Sequence, residues 1–274
     1  MDFKNKTVVI TGASRGIGHA IGLKLASLGA NIAILAKTTD PNPKLPGTIF
    51  SAADDMVQVG GQAIPLMTDI RFEDQVNDSI QQVVNRFGGI DILVNNASAI
   101  HLSAVESTEM KRFDLMHSIN VRGTFLCSKA CIPYLLKSRN PHVLNLSPPL
   151  SLDPKWFKGH VAYTLSKFGM TMSALGMAEE FKGKIAFNTL WPKTTIATAV
   201  IANILGGDYL VKRSRIPQIV ADASVKIFEK DAQTYTGKSL IDEDLLREEG
   251  VMDFSAYRVS PELKEEDLQK DFYI

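Results

Sequence analysis

Val8-Val9-Ile10-Thr11-Gly12-Ala13-Ser14-Arg15-Gly16-Ile17-Gly18-His19-Ala20 decides how the rest of this chain reads. An apolar, β-rich run stops at Thr11. Three glycines follow in a G-x3-G-x-G spacing, and a helical pattern starts near Gly16. A strand that feeds a helix through such a turn points backbone N–H groups, and the positive end of the helix dipole, at one spot. That spot suits the phosphates of a nucleotide. A glycine cluster alone is a weak signal; the strand before it and the helix after it give it weight.

Outward from that turn, strands and helices alternate. Lys6–Thr11, Asn31–Ala36, Gln62–Leu66, Ile90–Val94, His142–Leu146, Lys184–Leu190 and Gly237–Ile241 read as strands. Helices are predicted over Gly16–Leu28, Thr48–Val59, Phe72–Phe87, Glu109 to about Lys137, Val161–Phe181, Ile196–Leu205 and Pro217–Phe228. Nearly every strand is a continuous apolar run, the mark of a parallel sheet covered on both faces. The fold class is α/β: a Rossmann-type doubly wound sandwich around a seven-stranded parallel sheet. Three prolines and a glycine make Lys37–Gly47 an ordered loop. No repeat or long linker divides the chain, so one domain over 1–274 is expected. About 250–274 reads as an irregular, charged and loosely docked tail. Ligands belong at the C-terminal ends of the strands.

Composition narrows the function classes. Of 274 residues, 45% are apolar and 22% charged, the balance of a globular protein with a real core. Thirty basic and thirty acidic side chains cancel, so no basic field calls for nucleic acid. No apolar run approaches a membrane span, and Met1-Asp2-Phe3-Lys4 leads straight into a strand with no secretory signal. Cys127 and Cys131 sit four apart on one helical face, read as buried apolar residues rather than a metal set or a disulfide. A reducing, cytoplasmic location is the expectation.

Four motifs carry chemistry: the turn Thr11-Gly12-x3-Gly16-x-Gly18, Asn95-Asn96-Ala97 after the fourth strand, Asn120 inside the long helix, and Tyr163-x3-Lys167. Tyr163 and Lys167 are i and i+4 on one helix and stand side by side. A hydride leaves or joins a carbinol carbon only if a proton moves on its oxygen. Free tyrosine titrates near ~10, too high for a base at neutral pH. An ammonium about 4 Å away, at an effective dielectric of ~20, is worth roughly 4 kcal/mol toward the phenolate. The pair is therefore suited to acid–base work near neutrality.

In this order and on these elements, the motifs resemble the short-chain dehydrogenase/reductases over about residues 4–245. Further stretches, Asp40–Thr48, Ser147–Pro149, Gly176–Gly183 and Trp191–Thr194, resemble one narrower group of that family. The resemblance implies Tyr163 as acid/base, Lys167 as holder of the nicotinamide ribose, and Asn120 positioning a water behind the lysine. It implies that Thr11, Gly12, Ser14, Arg15, Gly16, Ile17, Gly18, Lys37, Asp69, Asn96, Ala97, Lys167, Pro192 and Thr194 hold the cofactor. It also implies a homodimer or homotetramer.

The chain departs from the family at two places. Members usually end the fifth strand in two serines, the second polarising the substrate carbonyl; here the run is Ser147-Pro148-Pro149-Leu150-Ser151. Ser147 is the preferred catalytic hydroxyl, with Ser151 or no donor left open. The family's Pro-Gly after the sixth strand is Pro192-Lys193. Cofactor choice follows charge: an acid after the second strand pairs with the 2′-OH of NAD, a base with the 2′-phosphate of NADP. Here Ala36-Lys37 stands there, with no acid until Asp40, and Arg15 lies in the turn, so NADP(H) is expected. Ile196, Val200, Ile201, Ile204, Leu205, Trp156, Phe157 and Trp191 suggest a hydrophobic alcohol or ketone, fatty-acyl or steroid-like, and Arg213 and Arg215 could greet an acidic group. The reading is an NADP(H)-dependent dehydrogenase or reductase; the alternative is a nucleotide-binding sensor on the same fold.

Overall fold

Alternate side chains of β1 (Thr7–Thr11) go to opposite faces of the sheet, and both faces are covered. Val8 and Ile10 enter one apolar cluster and Val9 the other. That is why the run is continuously apolar rather than alternating. The protein, a computed structural model, is described over residues 2–42 and 45–274.

β1 passes through the glycine turn into α1 (Gly16–Ser27), then β2 (Asn31–Ala36), α2 (Ile49–Gln58), β3 (Gln62–Met67), α3 (Glu73–Phe87) and β4 (Ile92–Asn95). A capping box at Thr48 starts α2: its Oγ1 accepts from Ser51 N at 3.1 Å, and Thr48 N donates to Ser51 Oγ at 2.9 Å. The second half runs through α4 (Met110–Met116), α5 (Thr124–Leu135), β5 (His142–Asn145), α6 (Val161–Glu180), β6 (Ala186–Trp191), α7 (Gly207–Lys212), α8 (Gln218–Phe228), β7 (Ser239–Ile241) and α9 (Asp242–Glu248). All pairings are parallel, in the order β3-β2-β1-β4-β5-β6-β7. Pro65 is tolerated in β3 because that strand is an edge. The order reverses between β1 and β4, which opens a crevice above their C-terminal ends.

Three expectations change. The long helix over 109–137 is interrupted: α4 and α5 are joined by a wider π-helical turn, His117–Gly123, with Asn120 on it. π-turns inside helices concentrate at functional positions. Ile196–Leu205 is not one helix. Ile196 forms a bridge with Arg215, and the stretch is helical only over 199–205, its last five residues, Ile201–Leu205, as a π-turn. The tail is irregular but not loosely docked. Phe254, Leu268 and Tyr273 are buried, and the segment is pinned to the β6 side of the molecule. Arg215, 1% exposed, ion-pairs with Glu243 at the start of α9 and with Glu265 of the tail. Of the Lys37–Gly47 loop, Pro43 and Lys44 lie outside the described residues; Asn42 and Leu45 form an antiparallel bridge.

Cys127 and Cys131 are fully buried, and burial pushes the Cys127 thiol up to about 12. Among the described residues no helix is long and apolar enough to cross a membrane.

Candidate active site

The glycine turn is held shut by β4. Thr11 Oγ1 accepts from the backbone N of both Asn96 and Ala97 at 3.0 Å. The Asn96 amide donates to Thr11 O at 2.9 Å and Gly12 O at 3.1 Å. This approach excludes side chains. A Cβ on Gly12, which sits at φ +69°, would stand 2.9 Å from Ala97 Cα, and one on Gly18 would stand 2.5 Å from Asn96 Nδ2. Ser14 is buried beneath the turn, and Thr198 of the loop after β6 faces Gly16. α1 begins without a side-chain cap and without an acid in its first turn, so its N-terminal N–H groups stay available to an anion. These residues fit the phosphates of a nucleotide.

Behind the turn, Asn95 ties the sheet to its helices. Its amide donates to Asn145 Oδ1 at 2.8 Å and Ser128 Oγ at 3.1 Å, and Asn145 in turn donates to Met170 O at 3.0 Å. Near the expected 2′ position the two cations are already engaged. Arg15 donates to Pro46 O at 3.2 Å and Gly47 O at 2.8 Å. Lys37, half exposed, lies 3.4 Å from Asp69. Asp69 also takes a two-pronged contact from Arg71; these hydrogen bonds outweigh burial and hold its carboxyl below the usual range.

A cavity of about 650 Å³ runs from this turn to the other side of the sheet. Ile17, Asn96, Tyr163, Lys167, Trp191 and Pro192 all line it. Tyr163 and Lys167, from the first turns of α6, open on it together. Lys167 Nζ donates to Leu146 O at 2.7 Å and Ser98 Oγ at 3.4 Å, and lies 5.1 Å from the Trp191 ring centroid. Asn120, fully buried on its π-turn, accepts from Ala99 N at 2.8 Å. It donates to Ala99 O and Ser166 Oγ, both at 2.9 Å. It thus clamps the segment after β4 to α6.

The electrostatics differ from expectation. Burial, reinforced by Tyr273 and Asp271, pushes Tyr163 well above its ordinary value. Burial brings Lys167 down to about 7, with Asp271 pulling the other way. Lys167 Nζ is turned to Leu146 O, and for the phenol desolvation outweighs any Coulomb attraction from the lysine.

Two of the expected site residues stand outside the cavity lining. Ser147 is fully buried, with Thr171 Oγ1 donating to its Oγ at 2.9 Å, and it does not line the cavity. Ser151 does not line it either; its Oγ accepts from Asp153 N at 3.3 Å. Pro148 follows directly, and Thr171 takes the Ser147 hydroxyl that was preferred as the catalytic donor. Thr194 is buried in a bridge to Lys270, and its neighbour Thr195 lines the cavity instead. Lys193, at the family's glycine position, pairs with Glu243 and Asp244 of α9. Of the apolar substrate set, Trp156, Ile196, Val200, Ile201 and Leu205 do line the cavity, whereas Phe157 packs edge-on against Phe168. Arg213 and Arg215 do not face it. Arg213 donates to Asp267 O at 2.7 Å, and Arg215 is locked in its buried pairs. Ser98, at the end of the segment that follows the fourth strand, lines the cavity as strand-end residues should, whereas sequence reasoning missed Asp271, Phe272 and Ile274 of the tail, far away in sequence.

A doubly wound sheet, an uncapped glycine turn and a Tyr–Lys pair on one cavity define a nucleotide-dependent oxidoreductase scaffold. The chain belongs to the short chain dehydrogenase family, whose model matches residues 6–205. It is 58% identical over 255 residues to hydroxysteroid dehydrogenase-like protein 2 of Danio rerio, covering 93% of this chain and 61% of that one. The Homo sapiens protein of the same name is 54% identical over 268 residues, covering 98% and 63%. The chain thus spans about three fifths of the length of these curated relatives. A solved short chain dehydrogenase from Mycobacterium thermoresistibile superposes with a TM-score of 0.93 at 49% identity, covering 99% of this chain and 96% of that one. A solved chain from Xanthomonas campestris does so with 0.95 at 48%, covering 100% and 99%. The family binds nicotinamide nucleotides.

Proposed function

We propose that this chain is an NADP(H)-dependent dehydrogenase or reductase acting on the carbonyl or alcohol of a hydrophobic substrate, fatty-acyl or steroid-like. One observation carries the reading: Tyr163 and Lys167 share a mostly apolar cavity with Ile17 and Asn96 at the glycine turn. A nicotinamide nucleotide bound at that turn would supply or accept the hydride. Tyr163 exchanges the proton with the substrate oxygen. Burial keeps its phenol neutral near pH 7, so it is set to donate, the proton transfer that carbonyl reduction needs. Lys167 holds the ribose and, when charged, favours the phenolate needed for the reverse direction. Asn120 fixes the start of α6 through Ala99 and Ser166 and so orients both side chains. Thr11, Gly12, Ser14, Gly16, Ile17 and Gly18 cradle the phosphates, and Asn96 and Ala97 back that cradle. Arg15 and Lys37 favour a 2′-phosphate, supported by the lack of an acid directly after β2. Family resemblance supports a homodimer or homotetramer.

The test is a panel of apolar ketones and 3-oxoacyl thioesters, followed by NADPH oxidation. Turnover with NADPH above NADH is expected. NADPH binding without turnover across the panel would leave the sensor reading, which the burial of Ser147 favours.

A further inference from the structure

One wall of the cavity comes from the tail. Thr195 N donates to Gln269 O at 2.9 Å, and Asp271 N to Lys193 O at 3.1 Å. Trp191 Nε1 donates to Phe272 O at 2.8 Å. The Tyr273 ring is packed among Trp156, Phe168 and Trp191, and its hydroxyl lies 3.1 Å from Thr164 Oγ1. Together these contacts make residues 269–273 a strap across β6 and fix Asp271 in the lining. One Asp271 carboxylate oxygen accepts from Phe272 N at 2.6 Å. Among the described residues its other oxygen has no hydrogen-bond partner, Asp271 makes no ion pair, and no other Asp or Glu side chain lines the cavity. The hydroxyls at the end of β5 are turned elsewhere, so the strap brings a polar group to a cavity where β5 supplies none.

We propose that Asp271 is a specificity-determining residue, whose free carboxyl oxygen hydrogen-bonds the polar end of a neutral alcohol or ketone and repels substrates that carry a carboxylate. This rests on the reading of the cavity as the substrate site. The carboxylate accepts from an alcohol O–H, and the protonated form donates to a carbonyl. Both forms are accessible near neutrality, because burial raises Asp271 to about 7. The groups that act on it are Lys167 and Tyr163 of α6, Asp242 at the start of α9, and Tyr273 on the strap itself; Lys270, the adjacent strap residue, is exposed and lines the same cavity. Below about pH 7 Asp271 gains its proton and loses its repulsion; above it the repulsion is complete. Arg213 and Arg215, which could have attracted an acid, are engaged in holding the tail.

The chain's two tryptophans, Trp156 and Trp191, both line the cavity and report binding by fluorescence. Octan-2-ol, octan-2-one and octanoate are titrated into the full chain at pH 8 and pH 6. At pH 8 octan-2-ol, which can donate to the carboxylate, is expected to bind at least ~10-fold more tightly than octanoate, a like-charge contact of about 1.4 kcal/mol, whereas octan-2-one, an acceptor only, is expected to tighten from pH 8 to pH 6. At pH 6 the gap narrows. Asp271→Asn keeps the acceptor for Phe272 N and should remove the gap, mainly by tightening octanoate. Asp271→Ser, which lacks a carbonyl, should remove it too. An unchanged ratio in both variants, or no binding of any of the three ligands, overturns the proposal. Tyr163→Phe separates this idea from the proton-transfer reading. The binding ratio should survive that substitution whether or not turnover depends on Tyr163.

Discussion

The two rims of the cavity are built on different principles. The nucleotide rim is local. β1, the glycine turn and α1 are consecutive in sequence, and only a short piece after β4 is needed to close them. The opposite rim is assembled from afar. Residues 191–205 after β6 meet residues 269–273 of the tail, tied down by an ion network through Arg215, Glu243 and Glu265. The first rim follows the family pattern closely, whereas the departures from it, Pro148 and Lys193, lie on the other side. A rim that binds a fixed ligand can be written in a short motif. A rim that selects among substrates is remade by whatever segment docks on it.

The sharpest break between the two rims is at the residue they share. Tyr163→Phe should lower kcat by roughly 10³-fold while leaving nucleotide affinity intact, as stopped-flow turnover and fluorescence titration would show. Retained turnover would remove Tyr163 as the proton donor.

Next in size, Arg215→Met should cost about 1.5–3 kcal/mol in denaturant unfolding, because it removes the buried partner of Glu243, which keeps Lys193 and Arg247, and releases Glu265. It should loosen apolar-ligand binding more than nucleotide binding; equal losses would mean that the rims are not separable. The pH dependence has a definite sign. Burial raises Glu243, but hydrogen bonds from Arg215 and Arg247 prevail and hold it at about 2, below its ordinary 4.5. Its stabilisation is complete above about 4.5 and is lost as pH falls toward 2, so the variant should unfold at higher pH than the wild type.

Gly18→Ala probes the local rim. Its Cβ would meet Asn96 Nδ2, and overpacking of this kind costs about 1–3 kcal/mol. Nucleotide affinity should fall while binding of octan-2-ol is kept. Smallest is Lys37→Asp, which should shift the NADPH:NADH preference by about 10-fold, the effect of one exposed charge reversed beside a phosphate. An unchanged ratio would remove Lys37 from cofactor choice.

Much of this was legible from residues 8–20 and the motifs at 95–97, 120 and 163–167. Each is a local pattern whose meaning rests on neighbours a few residues away. Asn120 shows the boundary of that legibility. Its place in a helix was readable, but the π-turn that aims it at Ala99 and Ser166 was not, since helical periodicity does not report a single widened turn. Ser147 shows it again. The strand end was placed correctly, yet the direction of the hydroxyl depended on Thr171, two dozen residues on and in another element.

By itself, the sequence determined the alternation of apolar strands with helices, the parallel sheet that follows from it, the nucleotide turn at its switch point, and the Tyr–Lys pair at helical spacing. Only the tertiary structure decided that the charged tail is pinned over the cavity, that Arg215 serves that tail rather than a ligand, and that Asp271 stands in the cavity wall. The physical reason is range. Steric and hydrogen-bond preferences of neighbouring residues write motifs, whereas the docking of a tail depends on burial and ion pairing between elements that meet only after the sheet has formed.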